Sequence, residues 1–368
     1  MEQQTIEKAQ KNSFERIRQM IYPNGIIQHS EYDRPNFDHP SSVDDNTRAA
    51  IIYARASKIY SGNSKGFQDV KAMNIFLDYM AGAKKSRTDG LVNNYRMWED
   101  GKFIGRDNKQ EDPNALYDCF GRYLWASAEV AGSNYPEEIK QRARKMFEDS
   151  FEPSFNLTYP MTKSLVIIGL SKFLKQNPEN GEVERVNSNL SYGLSELFKK
   201  NSSRGWKGFS KDYTYCAARP AQAMILAGEV LNREEFVEYG RESLDFLVDN
   251  TIKEGRFNAI GNDGFFVKGG EPAIYDKQTI EPGVMIGASV DAYKVTGERK
   301  YLDNALVCFS SFYGNNIQNA EMVTENGGVL DAITPTGVNQ NEGAESIISH
   351  MLSLSKFREI DVNPFMNN

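Results

Sequence analysis

Two glycine- and asparagine-rich stretches, Asn258 to Glu281 and Gly337 to Ser346, each run into a helix whose first turn carries carboxylates. Glu281 stands in one; Glu342 and Glu345 stand in the other. A second acidic pair, Asp44–Asp45, opens an apolar helical stretch, and Asp118 lies early in another. The first loop also displays Phe265 and Phe266. Flat apolar faces, side-chain amides and paired acids together suit a polyhydroxylated ligand. Paired carboxylates are also the machinery of glycosidic bond cleavage. One acid, its pKa raised by burial or by its neighbour, protonates the leaving oxygen, and the other activates water or attacks carbon. On position alone, Glu281 is expected as the general acid, with Asp45 or Glu345 as its partner.

The competing explanation is N-capping, since Asp and Asn accept hydrogen bonds from free helix N–H groups and complement the helix dipole. One residue per helix can be the cap, however, and Glu281, Glu345 and Asp118 lie at or beyond the first turn of apolar helices. Buried charge without a partner is expensive. A central cavity lined by several acids is the simpler account, with Arg48, Arg122 and Arg219 as counter-charges on otherwise apolar helices. Trp98, Trp206, Phe209, Tyr213, Phe265 and Phe266 are candidates for stacking on sugar faces, although aromatics more often serve packing.

Other chemistries fit poorly. His29, His39 and His350 show no metal-ligand spacing, and no GxSxG nucleophile motif occurs. Gly269-Gly270 and Gly327-Gly328 lack the strand–turn–helix frame of a phosphate loop. No cofactor is expected. The net charge of −7, with lysines and arginines scattered, weighs against nucleic acid as a partner. No run approaches the 18 or so apolar residues that span a membrane. Three isolated cysteines and a polar N-terminal segment point to a cytoplasmic protein.

The elements that position these residues are helices. Omitting an N-terminal helix from about Ile6 to Ile21, two kinds alternate. One is apolar or small on nearly every side: Asp45 to Ile59, Ala115 to Ala131, Met161 to Leu174, Ala217 to Leu231, Pro282 to Val295 and Ala344 to Leu354. The other carries a single stripe, as in Leu190, Leu194, Leu197 and Phe198. Six buried helices alternating with amphipathic ones predict an all-α (α/α)6 toroid, a single domain over residues 1–368. Residues 1–40 would form an N-terminal helix and extended lead-in. The long loops 86–112, 254–279 and 315–341 all precede inner helices, so they would gather on one rim.

These residues also carry a resemblance. Val43 to Ile51 (VDDNTRAAI), Asp118 to Ala126 (DCFGRYLWA), Thr214 to Gly228 (TYCAARPAQAMILAG) and the two Gly/Asn-rich loops resemble, in order, the blocks of a six-hairpin glycosidase-like domain. That domain often occurs fused behind a glycosyltransferase. The resemblance implies a toroid with an oligosaccharide or other glycan ligand. It implies site roles for Asp45, Asp118, Arg122, Tyr215, Arg219, Asp276, Gln278, Glu281, Asp331, Asn339 and Glu345, joined by Asp44, Phe265 and Glu342 as substrate-binding candidates. The chain departs from the pattern at Phe120, where histidine is expected, at Cys216-Ala217 for Asp-Asn, and at Glu342 within Asn-Gln-Gly. The departures imply changed specificity or a changed catalytic role. The leading expectation is a glycoside hydrolase. The alternatives are a non-catalytic glycan-binding module serving a separate glycosyltransferase and, less favoured because no histidine stands in the acid-bearing loops, a sugar epimerase or isomerase.

Overall fold

The computed structural model describes residues 2–59, 69–104 and 113–365; residues 105–112 of the first long loop lie outside it. Twelve α-helices run in chain order: α1 Glu2–Arg18, α2 Val43–Ile59, α3 Val70–Lys85, α4 Pro113–Ala131, α5 Glu137–Glu148 and α6 Pro160–Leu174, then α7 Gly181–Asn201, α8 Arg219–Leu231, α9 Glu234–Thr251, α10 Ile280–Thr296, α11 Arg299–Ser310 and α12 Ala344–Arg358.

Local chemistry sets the helix ends. Asp69 and Asn180 accept from Ala72 N–H and Val183 N–H as N-caps of α3 and α7. Asn232 and Gly297, both left-handed, close α8 and α10. At the start of α2 the Ser42 hydroxyl accepts from Asp45 N–H and donates to Asp45 Oδ2 at 2.9 Å.

The even-numbered helices pack on one another in sequence, and α12 returns to α2, so they close a ring. Each has an outer partner: α3 on α2, α5 on α4, α7 on α6, α9 on α8 and α11 on α10. The N-terminal helix, which the pattern of alternation leaves aside, packs on α12 and occupies the sixth outer position. The all-α toroid expected from the sequence is thus the observed fold. Inner helices are buried on nearly every side, as along Ile280 to Ala292, whereas α5 buries only Ile139, Ala143 and Phe147. Close approach of α4 and α6 requires glycine: a Cβ on Gly169 would lie 2.8 Å from Trp125 N.

Below the rim, the ring axis is filled by charge. Arg55 of α2 donates to Glu129 of α4 at 2.7 Å and to Ser355 of α12, and lies 3.6 Å from Glu359. Lys356 of α12 reaches Asp291 of α10 at 2.7 Å and Glu359 at 3.2 Å. Gln222 of α8 donates to the second Asp291 oxygen, and Lys172 of α6 is within electrostatic reach of Asp291, Glu359 and Glu129. Every inner helix contributes a group. Burial alone would raise the pKa of Asp291 and Glu359, but the surrounding cations hold both well below the carboxylate range.

Breaking such a pair leaves a charge stranded. Asp291→Asn should cost about 3–5 kcal/mol in urea unfolding because Lys356 stays buried. Removing the surface Lys300–Asp245 pair by Lys300→Ala should cost no more than about 1 kcal/mol.

Candidate functional site

The rim wall is built by short strands in the long loops. Lys277–Gln278 pairs with Ala332–Thr334, which pairs with Gly337–Asn339. Its register sets Gln278 opposite Ala332 and Ala332 opposite Asn339, lining up the three across the wall. The opposite wall comes from the extended N-terminal segment. Gln28 O accepts from Ala344 N–H, Tyr32 O from Glu342 N–H, and Asn341 Oδ1 from Tyr32 N–H, each at 2.9 Å. This strap fixes residues 28–32 against the start of α12.

Between these walls lies a cavity of about 320 Å³ lined by Gln28, His29, Asp45, Gln278, Thr279, Asp331, Ala332, Asn339, Asn341, Gly343, Glu345 and Ser346. Of the residues picked from the sequence, Asp45, Glu345, Gln278, Asp331 and Asn339 line it. Immediately behind stands an arginine–tyrosine support. Arg48 Nη1 donates to Asp45 Oδ1 at 3.1 Å and to Glu345 Oε2 at 2.8 Å, while Arg48 Nη2 donates to the Tyr215 oxygen at 2.6 Å. The Tyr215 hydroxyl in turn donates to Glu345 Oε2 at 2.5 Å. Asp44 pairs with Arg122 at 3.1 Å.

The other sequence candidates sit elsewhere. Asp118 accepts from the Thr162 hydroxyl at 2.6 Å. Glu281 is buried at the N-terminal end of α8, its oxygens accepting from Cys216 N–H at 2.6 Å and Ala217 N–H at 3.3 Å. Arg219 lies over the Trp125 ring. Glu342 turns outward to a buried ion pair with Arg16 of α1 at 2.9 Å. Asp276 is exposed, and Phe265 is half-buried in its loop with a positive φ of 57°. Phe266, Trp206, Phe209 and Tyr213 are buried; Tyr213 and Phe266 stack with Phe246, and Trp206 meets Phe246 edge-on. His350 is buried as well, bonded to the Tyr313 hydroxyl at 2.8 Å.

Burial pushes the Asp45 carboxyl up to about 7; Arg48 opposes the shift, and Glu345 and Asp44 reinforce it. Burial raises Asp331 to about 6 against hydrogen bonds from the Ser346 hydroxyl at 2.6 Å and Gly343 N–H at 2.9 Å. Glu281 rises to about 7 for the same reason, despite its two backbone donors. His29 is lowered by burial and by His39, whose ring meets it edge-on at 4.6 Å, against the pull of Glu345. Gln278 Oε1 is buried with no hydrogen-bond partner among the described residues. Among the described residues, no group of three or more His, Cys, Asp or Glu is placed to hold a metal ion, and no helix is long and apolar enough to cross a membrane.

Sequence reasoning missed Gln28, His29, Thr279 and Ser346. His29 was weighed only for metal spacing. Its signal lay in the Gly/Pro/Asn-rich run from Pro23 to Pro40, which reads as turns rather than a plain lead-in.

Neither a family model nor a curated protein sequence matches the chain. Solved structures do. A sugar epimerase from a ruminal bacterium superposes with a TM-score of 0.70 at 12% identity, covering 97% of this chain and 99% of that one. A D-mannose isomerase gives 0.70 at 10% identity, covering 97% of each chain. An inactive variant of an α-1,6-mannanase from Salegentibacter, with two consecutive aspartates changed to asparagine and α-1,6-mannotriose bound, gives 0.61 at 9% identity, covering 97% and 99%. At these identities the likeness establishes the shared toroid.

Three carboxyls raised by burial make stability fall as pH rises. Their folded pKa values exceed the unfolded ones, so the contribution is full below about pH 4 and lost towards about pH 7. Asp45→Asn should flatten this decline, measured as urea midpoints across that window. An unchanged slope would mean that Asp45 is ionised in the native protein throughout.

Proposed function

We propose that the cavity binds a saccharide and that the chain is a glycoside hydrolase using Asp45 and Glu345. The carrying observation is that both carboxyls line one cavity and contact the same Arg48 nitrogen, at 3.1 and 2.8 Å. Asp45 Oδ1 and Glu345 Oε2, the two oxygens on that nitrogen, can therefore be no farther apart than those two distances combined. That is shorter than the roughly 6.5–9.5 Å of an inverting pair and compatible with the roughly 5–5.5 Å of a retaining one.

In this reading Glu345, oriented by Arg48 and Tyr215, attacks the anomeric carbon while the Asp45 carboxyl gives its proton to the leaving oxygen. Water, deprotonated by the Asp45 carboxylate, then cleaves the glycosyl ester and restores both groups. Arg48 stabilises the charge that appears on Asp45 as its proton leaves. Asp331 and Asn339 bind ring hydroxyls, and a hydroxyl would satisfy Gln278 Oε1. Glu281 serves as a positioning residue that holds the Cys216–Ala217 backbone. The consecutive aspartates of the inactive mannanase variant have a chemical parallel in Asp44–Asp45, which supports an acid at this helix start.

His29 favours a second reading, a sugar epimerase or isomerase. Its imidazole lines the same cavity as Asp45, and such a pair could pass a proton to and from a carbon next to a carbonyl. The epimerase and isomerase likenesses accord with it.

An oligosaccharide and monosaccharide panel in D₂O, read by NMR, separates the two. Hydrolysis with retained anomeric configuration, falling at least about a hundredfold in Glu345→Gln and in Asp45→Asn, is the expected result. Deuterium entering the sugar carbon skeleton, lost in His29→Gln, would replace hydrolysis by isomerisation. Binding without turnover would mark a glycan-binding module, the form that would serve a separate glycosyltransferase.

A further inference from the structure

Three arginines project from the inner helices between the cavity acids and the deep charge network. Arg48, Arg122 and Arg219 are buried, with 5%, 3% and 7% exposure. Two are matched: Arg48 by Asp45 and Glu345, Arg122 by Asp44. Arg219 has no carboxylate within ion-pair distance among the described residues. Its guanidinium lies 4.9 Å above the Trp125 ring, and Nη1 donates to Gln222 Oε1 at 2.5 Å. Gln222 is itself committed, since its amide donates to Asp291.

Glu281 is within electrostatic reach of Arg219, but its oxygens accept from Cys216 N–H and Ala217 N–H and neither makes an ion pair with Arg219. Burial also favours the neutral form of Glu281, with Arg219 opposing. Arg219 therefore stands near the like charges of Arg122 and Arg48 with no carboxylate in ion-pair contact among the described residues. Burial first and then these arginines press its pKa down to about 10. A guanidinium offers five N–H donors in a planar fork, of which Gln222 takes one. An ion buried this way is costly unless something else supplies the opposite charge.

We propose that Arg219, with Arg122 beside it, recognises an anionic group of the ligand, taking carboxylate or phosphate oxygens on its free N–H fork. This deepens the saccharide reading of the cavity and rests on it. Two sources share the chemistry: an acidic group carried by the sugar, and free inorganic phosphate bound next to it.

The test is calorimetric titration and thermal melting of the full chain with inorganic phosphate, glucuronate and glucose 6-phosphate, each against sodium chloride at matched ionic strength. The expected result is saturable binding of at least one anion by the wild type, at least tenfold weaker in Arg219→Gln. Response to inorganic phosphate alone assigns a free-phosphate site. Response to the acidic sugars but not to phosphate assigns a group on the sugar. No response beyond the chloride control, or equal binding by Arg219→Gln, overturns the inference. Should Arg219→Gln fail to fold, Arg219→Lys keeps the charge without the fork, and binding as tight as wild type would also overturn it. Wild-type titration with neutral mannotriose runs in parallel. Neutral-sugar binding without anion binding defeats this inference alone, whereas anion binding without any sugar binding defeats the saccharide reading.

Discussion

Arg55, Glu129, Asp291, Lys356 and Glu359 form a charge network along the ring axis, with ion pairs as short as 2.7 Å between different inner helices. Charges this deep are tolerated only when each is paired, so every helix that contributes one is held in register with its neighbours. An all-apolar axis of similar volume could be equally stable, but it would tolerate small rotations and slips of individual helices. The paired axis does not. It fixes which faces of α2, α8, α10 and α12 point inward, and hence where Asp45, Arg219, Glu281 and Glu345 stand one to four turns nearer the rim.

The same barrel holds carboxyls in opposite states at two depths. At the floor, cations outweigh burial, and Asp291, Glu129 and Glu359 are held low. At the mouth, burial outweighs the cations, and Asp45, Glu281 and Asp331 are held high. The difference lies in how many cations each acid meets. Asp291 has Lys356 in contact and Lys172 in reach, whereas Asp45 divides one Arg48 nitrogen with Glu345. Environments that push neighbouring carboxyls apart in pKa are the usual basis for acid/base work in one pocket. Here the floor favours the ionised form of its acids and the mouth the protonated form.

Much of this was legible in the sequence because burial on all sides leaves a plain mark: α6 and α10 carry almost no polar face, whereas α5 and α9 carry a wide one. Ring closure by α1 was not legible, since its stripe looks like that of any amphipathic helix and only its contact with α12 assigns it a place. Asp45, Gln278 and Glu345 could be found from the polar groups at helix starts, whereas Asp331 and Asn339 came only through the resemblance. Glu342 and Glu281 share those signals but point elsewhere. Glu342 turns to Arg16, 326 positions away along the chain, and Glu281 turns to the backbone of another hairpin. His29 reaches the cavity only because residues 28–32 hydrogen-bond to the start of α12, a pairing that no local pattern announces. The packing of Trp206, Tyr213 and Phe266 around Phe246 shows why loop aromatics alone say little about ligands.

The proposed chemistry requires a sugar to react in the cavity between His29, Asp45, Asp331 and Glu345. The most direct measurement is a crystal structure of Glu345→Gln soaked with an α-1,6-linked mannooligosaccharide. A sugar ring with its anomeric carbon beside residue 345 and its linking oxygen beside Asp45 is the predicted result. A sugar seated away from these residues, with ordered water filling the cavity, would contradict it.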